Sequence, residues 1–168
     1  MWRWLSVLPL ALAMGPAAAA GLRYLALGDS YTIGEGVPEA ARWPAQLAQA
    51  LRARGFDVAT QQYVARTGWT TDELAAAMDA ADFAPPHDLV SLLIGVNNQY
   101  RGRDAQLYQR EFAALLARAI ELAGGRSDRV FVLSIPDWGV TPFAAGSDRD
   151  PAQVARELDD YNALARAE

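Results

Sequence analysis

The sequence contains no cysteine, no lysine and only one histidine. The lack of cysteine excludes thiol nucleophiles, thiolate zinc sites and disulfide bonds. The lack of lysine excludes Schiff-base chemistry, serine–lysine catalytic pairs and the lysine of a phosphate-binding loop. One histidine and scattered carboxylates give no set of residues with the spacing of a metal site. The sequence therefore predicts neither a metal nor a cofactor.

All 15 basic residues are arginines, and 20 acidic residues outnumber them to give a net charge of −5. No arginine cluster has the density of a nucleic-acid-binding surface. Gly28, Gly34 and Gly36 do not fit the spacing of a dinucleotide-binding loop. We therefore expect a small-molecule ligand rather than a nucleic acid or a nucleotide. A chain of 168 residues has room for one domain with a sizeable core.

Residues 1–20 have the composition of an export signal. Arg3 supplies a positive start, residues 5–14 form an apolar run, and the alanines at 18–20 fit a small-residue cleavage site. The alternative is an uncleaved anchor, but two prolines interrupt the run, and a spanning helix usually needs about 20 apolar residues. We expect a signal peptide at 1–20 and a periplasmic or extracellular domain at 21–168, with no stable membrane anchor.

Short apolar runs alternate with amphipathic stretches along the rest of the chain. The predicted strands cover residues 22–27, 56–64, 89–94 and 130–135. The predicted helices are marked by Trp43 to Leu51, by 72–82 with Thr71 as the cap, by Tyr108 to Ala119, and by a last segment that begins near Asp150. This alternation is typical of βαβ units. It predicts a three-layer α/β/α sandwich with a mainly parallel sheet.

Polar segments that contain glycine or asparagine follow three of the predicted strands. They are Gly28-Asp29-Ser30, Thr67-Gly68-Trp69 and the segment 95–98. Because the carboxyl ends of parallel strands meet at one edge of the sheet, we expect the three segments to lie close together.

Each of these segments allows a functional and a structural interpretation. Ser30 is either a nucleophile or a serine that caps a turn. Gly68 either points its N–H at a ligand oxygen or is an ordinary loop glycine. Asn97 either donates to an oxyanion or stabilises a turn through its own backbone. Taken together, the three residues describe a nucleophile surrounded by hydrogen-bond donors.

The same segments resemble the sequence blocks of the GDSL/SGNH hydrolases. Residues 26–36, ALGDSYTIGEG, are similar to the first block, and Gly68 falls where the glycine of the second block belongs. Residues 94–98, IGVNN, resemble the third block, although Asn98 stands where the family usually has aspartate. Order and spacing agree from residue 22 to residue 168, and the chain is identified as a member of this family.

The resemblance implies an ester hydrolase with the flavodoxin-like SGNH fold and a small-molecule ester or acylated substrate. Ser30 would be the nucleophile that forms an acyl-enzyme. The backbone N–H groups of Ser30 and Gly68 and the side-chain amide of Asn97 would form the oxyanion hole. Whether the substrate is a lipid, a short acyl ester or an acetylated carbohydrate stays open.

Three further residues are predicted to contact the substrate. Asp29 adjoins the nucleophile and is expected to orient its loop. Trp138 and Phe143 follow the fourth predicted strand and are expected to shape the acyl or leaving-group pocket, with a place in the core as the alternative for both. Asp137 is a weaker candidate for the same pocket.

The general base is the element that the sequence lacks. The family supplies it from an Asp-x-x-His segment near the carboxyl terminus, and this pattern does not occur in the chain. His87 precedes the third predicted strand, so we expect it at the sheet edge opposite the site. We expect a carboxyl-terminal truncation that removes the last strand and helix and leaves little esterase activity. The alternative is a catalytically inactive SGNH-fold protein that binds acyl or carbohydrate ligands.

Overall fold

The computed structural model of the protein describes residues 21–168. In chain order the elements are β1 (Leu22–Gly28), α1 (Ser30–Ile33), α2 (Trp43–Ala53), β2 (Val58–Ala65), α3 (Thr71–Ala80), β3 (Leu89–Leu93), α4 (Val96–Tyr100), α5 (Ala105–Leu122), β4 (Val130–Val132), α6 (Pro142–Ala145) and α7 (Pro151–Ala167). Three short 3₁₀ turns join some of them. The export signal expected at residues 1–20 lies outside the described residues and stays a prediction.

The four strands form one parallel sheet in the order β2-β1-β3-β4. This architecture confirms the predicted fold class, with an all-parallel sheet among the described residues. Strand β1 pairs with β2 on one side and with β3 on the other. Its last five residues are buried, as expected for an apolar strand covered on both faces.

Helices cover both faces of the sheet. On one face, Ala48 of α2 packs with Tyr24 and Ala26 of β1. On the other face, α3, α5 and α7 share a larger core with Leu25 and Leu27 of β1. The largest fully buried side chains of these three helices are Leu74, Met78, Tyr108, Phe112, Leu115 and Leu158. Successive side chains of β1 therefore point to opposite faces of the sheet and pack against different helices.

The order of the strands creates a crevice at one edge of the sheet. From β1 the chain continues to α2 on one face, and from β3 it continues to α5 on the other. Since the two connections diverge, a crevice opens between the carboxyl ends of β1 and β3, where parallel α/β folds bind their ligands. Helix α1 begins directly after β1, and α4 begins soon after β3.

Three predicted strands are longer than the observed ones, although β3 differs only by ending at Leu93 rather than at residue 94. Strand β4 ends at Val132 rather than at residue 135. The backbone N–H of Ile135 donates to Asn162 Oδ1 over 2.7 Å, and Asn162 Nδ2 donates to the Ile135 carbonyl over 3.0 Å. A side chain of α7 thus replaces a neighbouring strand. Strand β2 begins at Val58 rather than at Phe56, whose N–H bonds to Leu51 in the turn that ends α2.

The cap of α3 is also one residue earlier than predicted. Thr70 occupies the N-cap position, and its backbone N–H donates to Glu73 Oε2 over 2.9 Å. This is one half of a capping box. Thr71, the predicted cap, is the first residue of the helix. Within residues 21–168, no helix has both the length and the apolar character needed to cross a bilayer.

Candidate active site

A cleft of about 510 Å³ lies at the carboxyl ends of β1 and β3. Ser30, at the start of α1, and Asn97, near the start of α4, both line it. The remaining walls are formed by Tyr31, Glu35, Thr67, Val96, Tyr100, Trp138, Thr141, Pro142 and Phe143. The structure therefore brings two of the three predicted catalytic residues, Ser30 and Asn97, into one cleft. The third, Gly68, does not line it, but the adjacent Thr67 does.

Ser30 is held by the residue that precedes it. Asp29 is the N-cap of α1, and its Oδ1 accepts a hydrogen bond of 3.0 Å from the backbone N–H of Tyr31. Among residues 21–168, neither the hydroxyl of Ser30 nor its backbone N–H has a hydrogen-bond partner. The serine thus sits at a rigid helix start with its Oγ and its N–H both free to meet a ligand.

The Asn97 side chain joins α4 to the loop that contains Gly68. Its Nδ2 donates to the carbonyl of Trp69 over 2.8 Å. A side-chain amide has two N–H donors, so one of them stays available to the cleft. The partner lies 28 residues away in sequence, so this hydrogen bond does not stabilise the turn in which Asn97 itself lies.

Gly68 lies at the edge of the cleft rather than in its wall. Its φ of 86° is in the left-handed region that favours glycine. Its carbonyl accepts a hydrogen bond of 2.7 Å from Arg101 Nη2, whereas its backbone N–H has no partner among the described residues. The adjacent Thr67 lines the cleft and donates its hydroxyl proton to Glu35.

A buried contact below the cleft fixes α4 against α3. Asn98 is 1% exposed, its Oδ1 accepts from the Thr71 backbone over 3.1 Å, and its Nδ2 donates to the Thr71 hydroxyl over 2.6 Å. That hydroxyl in turn donates to the Glu111 carboxylate. The Thr71 hydroxyl gives its one proton to Glu111, so its oxygen can only accept a hydrogen bond from residue 98. The amide of Asn98 can donate that bond, whereas an ionised aspartate at this position could not. This pairing was not predicted from the sequence.

Three aromatic rings form one wall of the cleft. The ring centroids of Tyr100 and Trp138 are 5.4 Å apart, and that of Phe143 is 5.8 Å from Trp138 and 6.2 Å from Tyr100. Trp138 is 5% exposed, lines the cleft and also belongs to the core, and its contact with a substrate stays a prediction. Phe143 is 65% exposed and lies at the mouth of the cleft.

Trp138 is held in place by a buried glutamine. Its indole Nε1 donates to Gln99 Oε1 over 2.9 Å, and Gln99 Nε2 donates to Glu157 Oε2 of α7 over 2.6 Å. Burial opposes ionisation of Glu157, but hydrogen bonds from Gln99, Gln153 and Arg149 keep its pKa below the ordinary value. Gln99 is only 2% exposed. Through its two hydrogen bonds its amide connects the aromatic wall to an ionised carboxylate.

The two aspartates considered for the pocket both act as caps. Asp29 is 1% exposed and does not line the cleft, although it was predicted to contact the substrate. Its second oxygen, Oδ2, has no hydrogen-bond partner among residues 21–168, and burial raises the pKa of the carboxyl to about 7. Asp137 accepts a 2.7 Å hydrogen bond from the backbone N–H of Gly139 and also lies outside the cleft.

His87 lies at the other end of the sheet, which confirms its predicted place at a strand entry. The ring is buried, its Nδ1 is 3.4 Å from the Leu122 carbonyl, and burial lowers its pKa. The residue precedes the five residues of β3, whereas Asn97 follows them. The strand alone separates the imidazole from the cleft by about 16 Å.

Gly95 is the residue that allows α4 to begin where it does. Its φ is 127°, and a Cβ atom there would lie 2.6 Å from Tyr108 Cε2 and 2.9 Å from Ile135 Cδ1. We expect Gly95→Ala to lower the free energy of unfolding by about 2–4 kcal/mol, because overpacking adds to an unfavourable backbone conformation. Urea unfolding measures this loss.

Gly146→Ala is the matched control for this experiment. Gly146 has a φ of −94°, and the nearest atom to its Cβ would be the Phe143 carbonyl oxygen at 3.7 Å, an ordinary contact. We expect little loss of stability there. Equal losses in the two variants would contradict a special role for Gly95.

Metal ligands are not grouped in the part of the chain that the structure describes. Among residues 21–168, no three histidine, aspartate or glutamate side chains are placed to hold a metal ion together.

Comparison with known proteins places these features in a family. The model of the GDSL-like lipase/acylhydrolase family matches residues 26–168. No curated protein sequence matches the chain significantly.

Several solved structures share the fold. The TesA crystal structure superposes with a TM-score of 0.65 at 21% identity, covering 86% of this chain and 71% of TesA. The SGNH-hydrolase family esterase AlinE4 gives 0.60 at 23% identity, with coverages of 88% and 72%. The psychrotrophic esterase EstA from Pseudoalteromonas sp. gives 0.56 at 17% identity, with coverages of 82% and 74%.

Proposed function

The chain belongs to the GDSL-like lipase/acylhydrolase family, and from this premise we propose that it is a serine ester hydrolase with Ser30 as the nucleophile. The observation that supports this assignment is the shared cleft of Ser30 and Asn97, in which the Ser30 hydroxyl has no partner among residues 21–168. The family is one of ester hydrolases in general. The residue roles below are specific to this proposal.

In the proposed reaction, Ser30 Oγ attacks the carbonyl carbon of an ester. A new C–O bond forms, and the carbonyl oxygen becomes an oxyanion. The backbone N–H groups of Ser30 and Gly68 and the second N–H of Asn97 Nδ2 are its donors. The bond between the carbonyl carbon and the ester oxygen then breaks, and the alcohol leaves with the proton that Ser30 has lost. Water hydrolyses the acyl-enzyme to a carboxylic acid and restores the Ser30 hydroxyl. Both backbone N–H groups lack an internal partner in the described residues, which supports this role.

The proton of Ser30 needs an acceptor, and the sequence supplies no histidine for it near the cleft. Glu35 lines the cleft but is exposed and accepts from Thr67. His87 is at the opposite end of β3. This favours a second candidate function, in which the same cleft binds an acylated ligand without turning it over. The composition of residues 1–20 supports export in either case.

With imidazole in the buffer to accept the Ser30 proton, a fluorophosphonate is expected to form one covalent adduct, at Ser30. EstA was crystallised inhibited by monoethylphosphonate, so phosphonates are a suitable class of probe. Intact-mass spectrometry after a long incubation measures the adduct, and Ser30→Ala should abolish it. Asn97→Ala should slow its formation by about 100-fold, because one oxyanion donor is worth about 3 kcal/mol.

Ser134→Ala is the control, because Ser134 is exposed and lies outside the cleft. Its adduct should form at the wild-type rate. An adduct that persists in Ser30→Ala would disprove the assignment of the nucleophile.

A further inference from the structure

The loop that contains Gly68 is held through its backbone. In the peptide group that joins Gly68 to Trp69, the carbonyl accepts a hydrogen bond of 2.7 Å from Arg101 Nη2. The N–H of the same peptide, on Trp69, donates to the Arg66 carbonyl over 3.3 Å and closes a tight turn. Both polar groups of this peptide are therefore occupied.

The peptide group that precedes it is free. It joins Thr67 to Gly68, and among residues 21–168 neither the Thr67 carbonyl nor the Gly68 N–H has a hydrogen-bond partner. The peptide that follows Trp69 is again occupied, since Asn97 Nδ2 donates to its carbonyl and its N–H donates to Glu73. The Gly68 N–H is thus a free donor in a loop whose next two peptides are fixed.

Arg101 joins this loop to the helix that carries the other proposed donor. It directly follows α4, and its backbone N–H donates to the Asn97 carbonyl over 3.1 Å. Its side chain reaches back to the Gly68 carbonyl, so one residue contacts both parts of the proposed oxyanion hole. Arg101 does not line the cleft, so we expect it to make no contact with a substrate there.

The guanidinium of Arg101 is itself anchored on α3. Its Nη1 lies 3.4 Å from Glu73 Oε2, and the same oxygen accepts from the backbone N–H of Thr70. The hydrogen bond from that N–H is the main reason why the pKa of Glu73 lies below its usual range, so the carboxylate is ionised. Both partners of the ion pair are half-exposed, so the pair adds little to stability. Its main effect is to fix the direction of the guanidinium.

Oxyanion donors act together only if they converge on one oxygen atom. Each donor has to lie about 2.7–3.1 Å from the oxyanion, and a displacement of about 1 Å can cost about 100-fold in rate. A glycine allows more backbone conformations than any other residue. The position of the Gly68 N–H relative to Asn97 therefore depends on the groups that hold the loop.

We propose that Arg101 is a positioning residue for the oxyanion hole. Its guanidinium holds the Gly68 carbonyl against the end of α4 and so keeps the Gly68 N–H where it and Asn97 can bind the same oxyanion. This inference rests on the proposed attack by Ser30 in the cleft, because that attack creates the oxyanion.

The backbone dynamics of Gly68 test the proposal without any reaction. ¹⁵N relaxation measures the order parameter of its N–H bond, which is about 0.85 in a rigid backbone and below about 0.6 in a flexible one. We expect a rigid Gly68 in the wild type and a flexible one in Arg101→Ala. The Arg101 side chain is 43% exposed, so its removal leaves the core intact. An equally rigid Gly68 in both proteins would overturn the proposal.

The rate of the phosphonate reaction tests the consequence for the site. With imidazole present and the fluorophosphonate concentration varied, the limiting rate of adduct formation should fall about tenfold in Arg101→Ala. This loss is smaller than the roughly 100-fold expected for removal of a donor itself. The concentration that gives half the limiting rate should stay the same, since Arg101 does not line the cleft. A general distortion of the cleft would raise that concentration too and would contradict a role confined to positioning.

Two further variants separate positioning from stability. Arg103→Ala removes a comparable ion pair with α3, that of Arg103 with Asp72 over 2.6 Å, but the Arg103 side chain donates no hydrogen bond to residues 66–70. It should leave Gly68 rigid and the limiting rate unchanged. Arg101→Lys keeps one donor for the Gly68 carbonyl and should restore most of the rate. Equal effects of Arg101→Ala and Arg103→Ala, or no restoration by lysine, would count against the proposal.

Failure of this inference can be told apart from failure of the proposed function. The order parameter of Gly68 does not depend on the reactivity of Ser30. If Gly68 became flexible in Arg101→Ala but the wild type formed no adduct, the hydrolase alone would be contradicted. If Ser30 formed the adduct at the same limiting rate with and without the Arg101 side chain, the positioning role alone would be contradicted.

Discussion

The polypeptide of 168 residues is expected to hydrolyse p-nitrophenyl acetate on the order of 10⁶-fold more slowly than a serine hydrolase with its histidine in place. The physical reason is that Ser30 has no imidazole within reach, since the one histidine of the chain precedes β3. Oxyanion-hole donors alone leave a small residual rate. Imidazole added to the buffer should raise this rate, because it can accept the serine proton inside the open cleft. Release of p-nitrophenolate measures both rates.

Free imidazole also cleaves activated esters, so Ser30→Ala measured at each imidazole concentration is the necessary control. The protein-dependent part of the rate should vanish in that variant. Turnover typical of a serine hydrolase without imidazole, lost in Ser30→Ala, would mean that another group serves as the base. In that case Glu35, the only carboxylate that lines the cleft as described, would be the first residue to substitute.

Asp29→Asn is expected to stabilise the protein at pH 8 by about 2–4 kcal/mol. Burial raises the pKa of the Asp29 carboxyl from 3.8 to about 7. Below pH 3.8 the carboxyl is neutral in the folded and the unfolded protein and imposes no cost. As the pH rises towards 7 only the unfolded chain loses the proton, so stability falls, and above 7 the full cost of about 4 kcal/mol is reached. The new amide N–H lacks a partner, which reduces the gain.

Urea unfolding at pH 5 and pH 8 measures this effect, and the difference between variant and wild type should grow with pH. Burial lowers the pKa of His87, so the folded protein favours the neutral ring and loses stability as the pH falls. This effect opposes that of Asp29, but it is the same in the variant and the wild type. Asp137→Asn is the matched control, since Asp137 also caps the turn that follows it but is partly exposed. If the free energy of unfolding changed equally with pH in Asp29→Asn and the wild type, the raised pKa of a buried Asp29 carboxyl would be refuted.

The parts of the fold that the sequence predicts are those with a local cause. Apolar runs mark the strands, and helical spacing marks the long helices. The convergence of Ser30 and Asn97 follows from parallel strands alone, because their carboxyl ends share an edge. The predicted place of His87 follows in the same way from its position before a strand.

The parts that escaped prediction depend on contacts between distant residues. Strand β4 is short because Asn162, from α7, bonds to the backbone of Ile135. Thr70 rather than Thr71 caps α3 because Asn98 occupies the backbone and hydroxyl of Thr71. Neighbouring threonines look alike in the sequence, so only the tertiary partner decides between them.

The short helices α1 and α4 show the same limit at the candidate site. Each has only four or five residues, too few for a periodic pattern. The burial of Asp29 away from the cleft was also not predicted, because the sequence led us to expect it in contact with the substrate. Asp29 joins β1 to α1, and these two elements pack against each other around its side chain.

The pairing of β1 with β3 determines when the site can form during folding. These strands supply the two halves of the cleft, yet paired residues such as Tyr24 and Leu89 lie 65 positions apart in sequence. Contacts of such long range close large loops and are slow to form. We therefore expect the cleft to assemble late and cooperatively. Partial unfolding that separates β1 from β3 should remove ligand binding before helical structure is lost.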